Sequence, residues 1–429
     1  MNQIQKRVLS IISAITIIIF SISLFFVIQS TSKPKMNNQA KGASSHITIG
    51  TTRVETLIAK AKELANNYYY DKAITLLKNS HSKKTEQLLQ ELKQKKKNLI
   101  SWNDPASISH VFFHSLIVDP VKAFHASQAQ GYKDYMVTIS EFNKTFEQLY
   151  KNNYVLVNLN QLIHKQADGH LSFSGISLPK EKKPLILSQD DVSYYEYMDN
   201  SGFPSRLVVS NNNEIKNVYK EKDKEEIGDF DMVPLIDAFV KKHPDFSYRG
   251  AKGTLALTGY NGVLGYRTSK SQYGDNEKTK KEIKEAKKVA EQLKKDGWSF
   301  ASHTWGHLNM TQASLEDVKK DNELWQQEVV PILGKTNILV FPFGADINDW
   351  QPYSEANQKF MYLKQQGFDI FCNVDASTPA WGQLGKDFYR SARINIDGIR
   401  FQSDLKGENN VLDRFMNVKE VYDQKDRDS

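Results

Sequence analysis

The chain has 429 residues, enough for one large domain with additions or for two ordinary domains. Hydrophobic residues make up 40% of it, with 22 Phe and 19 Tyr, an aromatic load that excludes a disordered chain. The single cysteine, Cys372, excludes an internal disulfide and a cysteine-based zinc cage; a net charge of +7, without a basic helix or a nucleic-acid motif, points to an anionic wall or lipid surface and away from nucleic acid.

Lys6 and Arg7 precede residues 8–29, VLSIISAITIIIFSISLFFVIQ, 22 residues without a charge. As a helix this run rises about 33 Å, enough to cross a bilayer core. It is longer than the apolar part of a cleavable signal, and no A-x-A site follows. The expectation is an uncleaved single-pass transmembrane anchor, with residues 1–7 cytoplasmic and the rest outside the cell membrane, facing the wall. Residues 30–50 are small and polar and predict a flexible spacer. Over 51–103, Leu57, Ala61, Leu64 and Ala65 recur at helical spacing, as do Ala73, Ile74 and Leu77, and then Leu88, Leu89 and Leu92. They predict a helical stalk, similar to one tetratricopeptide unit, that packs on the main domain or stays mobile.

From 104 to 429 strands and helices alternate. HVFFHSLI predicts a strand, followed by a helix capped by Ser140 with Phe142, Phe146 and Leu149 on one face. YVLVNL and KPLILSQ predict strands. Residues 200–270, rich in Asn, Gly and Lys, read as an insertion with a few strands and a helix near VPLIDAFVKKH. A long charged helix over 276–296 ends at Gly297, and WSFASH predicts the next strand. Ser314 with Asp317 opens a helix closed at Gly334, TNILVFPFG predicts a strand, a helix runs from Ser354 to Gly367, and FDIFCNV predicts another strand. Repeated βα units with apolar strands imply an α/β fold with a parallel sheet buried on both faces, closed as a barrel of the TIM type or a distorted relative.

Chemistry in such a barrel sits where strands end. Asp190 and Asp191 follow KPLILSQ there. His303 and His307 follow WSFAS, four residues apart on an expected helical turn that points both imidazoles one way, half of a divalent-metal site. A carboxylate of the aspartate pair completes such a site, and its neighbour is then free to accept a proton from an attacking water. The cation makes two adjacent carboxylates tolerable.

SQDD after a strand, then SHTWGH, then FPFG after another strand, resemble the motifs of the NodB-type polysaccharide deacetylases. The resemblance implies a distorted (β/α)7-type barrel over 104–429 and a divalent metal, usually zinc. It implies Asp190 as general base and Asp191, His303 and His307 as metal ligands. Pro342 and Phe343 match the family's P-[YF]-G, and the Phe343 N–H becomes the oxyanion donor. Val340 stands where the family has the arginine that orients the base; Arg393 or Arg390 is the candidate replacement. No histidine follows His307, so the family's C-terminal general acid is missing. His114 takes that role by resemblance to circularly permuted members, whereas His110 falls at the wrong end of its strand. Trp305 and Tyr195 are candidates for lining a sugar groove. The implied activity is removal of acetyl groups from N-acetylglucosamine in a cell-wall polysaccharide, either peptidoglycan or the linkage unit of a wall polymer. The ammonium so created would blunt cationic wall hydrolases such as lysozyme. Two alternatives are an O-acetyl esterase and a non-catalytic wall-binding protein.

Overall fold

The computed structural model describes residues 45–222 and 224–428. The expected anchor over 8–29 lies outside the described residues, as do most of the spacer and Asp223. Among the described residues no helix is long and apolar enough to cross a membrane. The chain divides into two compact units, residues 1–56 and 57–429. Helix α1 is assigned over Ser45–Asn66, and its part from Leu57 onward belongs to the second unit.

Seven parallel strands form the second unit's frame: β1 (Ser109–Phe113), β2 (Lys183–Gln189), β3 (Thr254–Leu257), β4 (Ser299–Ser302), β5 (Ile338–Val340), β6 (Ile370–Val374) and β7 (Tyr389–Asn395). Each pairs with the next in chain order, and β7 pairs with β1, so the sheet closes as a barrel. Two seams are short and lie at the carboxyl ends: Ser188 and Gln189 of β2 meet β3, and Ile394 and Asn395 of β7 meet β1. The lower half of β2 pairs instead with the strand Tyr154–Val157, and the lower half of β7 with Gly382–Leu384. That splaying is the distortion of the barrel.

Side chains alternate along each strand. Leu185, Leu187, Leu255, Leu257, Leu339 and Phe371 face outward into the large core with the surrounding helices. Ile186, Ala256, Ala301, Val340, Cys372 and Tyr389 share a second core inside the barrel. That inner core is continuous with Ala61, Tyr68, Ala73, Leu77 and Leu88 of α1, α2 (Tyr70–Leu77), α3 (Lys83–Lys97) and the turn between the first two. Tyr68 and Tyr69 donate their hydroxyls to the carbonyls of Asp245 and Arg249, which precede β3. The helices therefore pack at the amino-terminal opening of the barrel. Each fully buried Leu there contributes about 1.5–3 kcal/mol.

Helix α4 (Ile139–Lys151) is capped by Thr138 with Glu141 in a reciprocal box, not by Ser140, which lies inside the helix and bonds to Asp423. The insertion holds a three-stranded antiparallel sheet over 204–228 and helix α5 (Met232–Lys242). Helix α6 (Glu277–Lys295) ends before Gly297, whose φ of +97° suits glycine. Ser314 and Asp317 box the start of α7 (Leu315–Leu324), as expected. The helix expected from Ser354 begins later, as α8 (Gln358–Gln365) capped by Asn357.

Candidate active site

Asp190 and Asp191 leave the end of β2 in different directions because Asp191 holds a left-handed φ of 59°. The turn sends Asp190 toward the barrel interior and Asp191 toward the histidines. His303 leaves β4 with its N–H on the Leu257 carbonyl, 2.8 Å away. Its Nδ1 lies 2.9 Å from the Val340 carbonyl. A carbonyl only accepts, so Nδ1 carries the proton and Nε2 keeps its lone pair for the site.

The segment from His303 to His307 is not the helical turn expected. Thr304 and His307 hold φ of 57° and 55°, and the loop is fixed by side chains. Asp321 of α7 accepts the N–H groups of Trp305 and Gly306, each at 2.7 Å, and the Thr304 hydroxyl accepts the Leu308 N–H. Asp321 was not legible as part of the site, since it sits mid-helix among other charges.

This loop still brings the two imidazoles together, with ring centroids 4.9 Å apart. His307 Nε2 lies 3.7 Å and His303 Nε2 3.9 Å from Asp191 Oδ1. One donor atom from each of the three residues lies within 4.8 Å of the others. A tetrahedral ion with bonds of about 2.0–2.2 Å needs separations of about 3.3–3.6 Å. Two neutral imidazole nitrogens and one carboxylate thus fit a divalent cation, and the donor set suits zinc. Tyr195, buried, donates its hydroxyl to Asp191 and also meets Thr258.

Asp190 lies apart from this set, its nearer oxygen 4.0 Å from His303 Nε2. Both its oxygens are taken by Arg393 of β7, NH1 at 2.6 Å and NH2 at 2.9 Å, a bidentate fork. Burial alone would raise the Asp190 carboxyl, but the Arg393 guanidinium holds it well below the usual carboxylate range. Arg390 faces the other side of β7 and pairs with Asp346 at 2.8 Å. Only Arg393 of the two candidates reaches Asp190.

Beneath the fork runs a buried polar chain. Arg393 NH1 also donates to Ser188 Oγ at 3.2 Å, and Ser188 Oγ lies 3.0 Å from His110 Nε2. The serine proton then goes to Nε2, and His110 donates from Nδ1 to Ser391 Oγ at 3.1 Å. His110 sits a layer below the triad, neutral, its value pushed down by burial and then by Arg393.

His114, past the end of β1, is half-buried. Its Nδ1 lies 3.1 Å from the Tyr135 carbonyl, which again leaves Nε2 free to act. Its charge is felt by Asp190, Asp191 and the buried Asp397. Asp397, not foreseen, accepts from Asn395 at 2.7 Å and from the Arg400 N–H at 2.8 Å.

Pro342 is buried and Phe343 is exposed, with φ 59° and its ring 4.5 Å from His307. Gly344 is required by the turn: φ is +66°, and a Cβ would fall 2.7 Å from Val374 Cβ. Two expected groove residues are placed otherwise. Tyr195 is buried and holds Asp191. Trp305 lies against Gly259 and commits its indole N–H to Glu328 at 2.9 Å.

Burial also lowers His303 to about 4 from 6.5. Below pH 6.5 the unfolded chain takes a proton that this side chain refuses in the fold. Its stabilisation is full above that pH and lost as pH falls toward 4. In metal-free protein the urea midpoint should fall across this window, and His303→Gln should flatten the fall in part, His110 supplying the remainder. An unchanged slope in the variant would contradict the assignment.

Comparison with known proteins gives a family match. The polysaccharide deacetylase model matches residues 274–361. The matched span includes His303, His307 and Pro342–Gly344; Asp190 and Asp191 precede it, separated by the insertion. A search of curated proteins finds no match. Among solved structures, the Streptococcus pyogenes deacetylase PplD in complex with acetate is similar over 73% of this chain and 100% of that chain, at 13% identity and a TM-score of 0.36. At that level the likeness says nothing of substrate or mechanism here. The match over 274–361 identifies the chain as carrying a polysaccharide deacetylase domain of the NodB type.

Proposed function

We propose that this chain is a metal-dependent de-N-acetylase of N-acetylglucosamine residues in a cell-wall polysaccharide, working outside the membrane from an anchor at residues 8–29. One observation carries the reading. An aspartate locked in a guanidinium fork stands beside, and separate from, a two-histidine, one-carboxylate set. A purely structural ion pair has no need of such a neighbour.

Asp191, His303 and His307 would hold the cation, most readily zinc. A cation bound there supplies Lewis acidity toward the acetyl carbonyl and acidifies a nearby water. Arg393 keeps Asp190 ionised and in one orientation, ready to accept the proton of the attacking water. The Phe343 N–H, on its left-handed turn beside His307, is the proposed donor to the developing oxyanion. His114, oriented by the Tyr135 carbonyl, delivers a proton to the departing nitrogen from Nε2. The C–N bond breaks, the acetyl carbon takes the water oxygen, and acetate and a free amine leave. Protonation of that amine places positive charge on the polymer and supports a role in resisting cationic wall hydrolases.

Acetate release by the purified full chain from N-acetylated wall polymer is the test. Activity should vanish with a chelator and return with zinc. Release from O-acetylated polymer alone would make the protein an esterase and end the N-acetyl reading.

A further inference from the structure

Exposed large apolar side chains scattered singly need no explanation. Here three aromatic ones converge on the candidate site. Tyr135 is 50% exposed, and its carbonyl orients His114. Tyr197 is 51% exposed, and its ring lies 5.4 Å from that of Tyr195 at an interplanar angle of 14°. Phe343 is 70% exposed and meets the ring of His307 edge to face.

The Tyr197 ring is backed by a built support. Tyr195 also stacks on Tyr260, centroids 4.9 Å apart at 12°. Tyr195 is anchored below by Ile117, Phe124, Tyr132, Met198 and Phe203. Its hydroxyl bonds to Asp191, so the stack is tied to the triad itself. The triad therefore has a ring on its Asp191 side and another on its His307 side. A site meant for a small free acetamide gains nothing from rings held in water on both flanks. The flat C–H faces of pyranose rings suit such surfaces, and a rigid platform binds them with little ordering cost.

We infer that Tyr197 and Phe343 receive the sugar units on either side of the reacting residue, with Tyr135 at the edge beside His114, so that the site selects polymer over monosaccharide. This rests on the deacetylase reading above and assigns its specificity. The occupant is a chain of hexosamine units laid across the barrel mouth.

Acetate release by the full chain, loaded with zinc, from N-acetylglucosamine and from its β-1,4 tetramer tests this. Wild type should prefer the tetramer in kcat/KM. Tyr197→Ala should lower the tetramer-to-monomer ratio about tenfold, chiefly through the tetramer KM. Tyr197→Phe keeps the ring and should keep the ratio. Thermal melts and zinc content identify variants that have lost the fold. An unchanged ratio in Tyr197→Ala, or a wild type indifferent to length, overturns the rim while leaving the deacetylase reading intact. No acetate from either sugar overturns both.

Discussion

Asp190→Asn should cut acetate release by about 10²–10⁴-fold with the zinc content of the protein unchanged. Asparagine has nearly the shape of aspartate, so the three presumptive ligands, Asp191, His303 and His307, keep their places. What goes is the basicity and the charge. The amide also brings N–H donors up against the Arg393 fork, where both oxygens now accept at 2.6 and 2.9 Å. The guanidinium must shift, and some stability goes with it. Acetate assays beside metal analysis of the same preparation read both parts. Full activity would remove Asp190 from the proton-accepting role. Loss of the metal as well would show that Asp190, not only its neighbour, is a ligand.

Arg393→Met should destabilise the protein by about 3–5 kcal/mol and lower kcat together. Arg393 is wholly buried, and methionine keeps much of its volume. Asp190 would then be a buried carboxylate without a partner. Burial, which already acts to raise it, would no longer be opposed by the guanidinium. Arg393→Lys keeps the charge but loses the fork, so it should fall between the two. Urea unfolding with parallel kinetics checks this. A Met variant within about 1 kcal/mol of wild type would show that the pair is not what holds this end of the barrel.

The frame and the chemistry were unequally legible in the sequence. β2 was readable residue for residue because KPLILSQ is an apolar run bounded by charge at both ends. Two other barrel strands were not. Thr254–Leu257 is only four residues long and lies in a stretch whose Gly and Asn content reads as insertion. Tyr389–Asn395 carries Arg390 and Arg393, and its inward positions Ser391 and Arg393 are polar because they line the upper interior beneath the site. Where a strand serves chemistry, its pattern stops looking like a strand. The aspartate pair and the H-x-x-x-H spacing could be found because they are local in sequence. Their supports could not. Asp321, Asp397, Ser188 and the Val340 carbonyl act across the fold, and no spacing rule connects them. The irregular loop at 303–307 escaped for a related reason: left-handed Thr304 and His307 are imposed by tertiary bonds, against their own propensity.

The closure of β7 against β1 has a consequence for how the molecule is made. Asp190 emerges from the ribosome 203 residues before the guanidinium that clasps it. Until then the nascent chain carries an open sheet with a bare edge and an acid that nothing neutralises. Local segments such as the amino-terminal helices are able to organise early, but the reaction centre is assembled late and all at once, by the most distant contacts the chain makes.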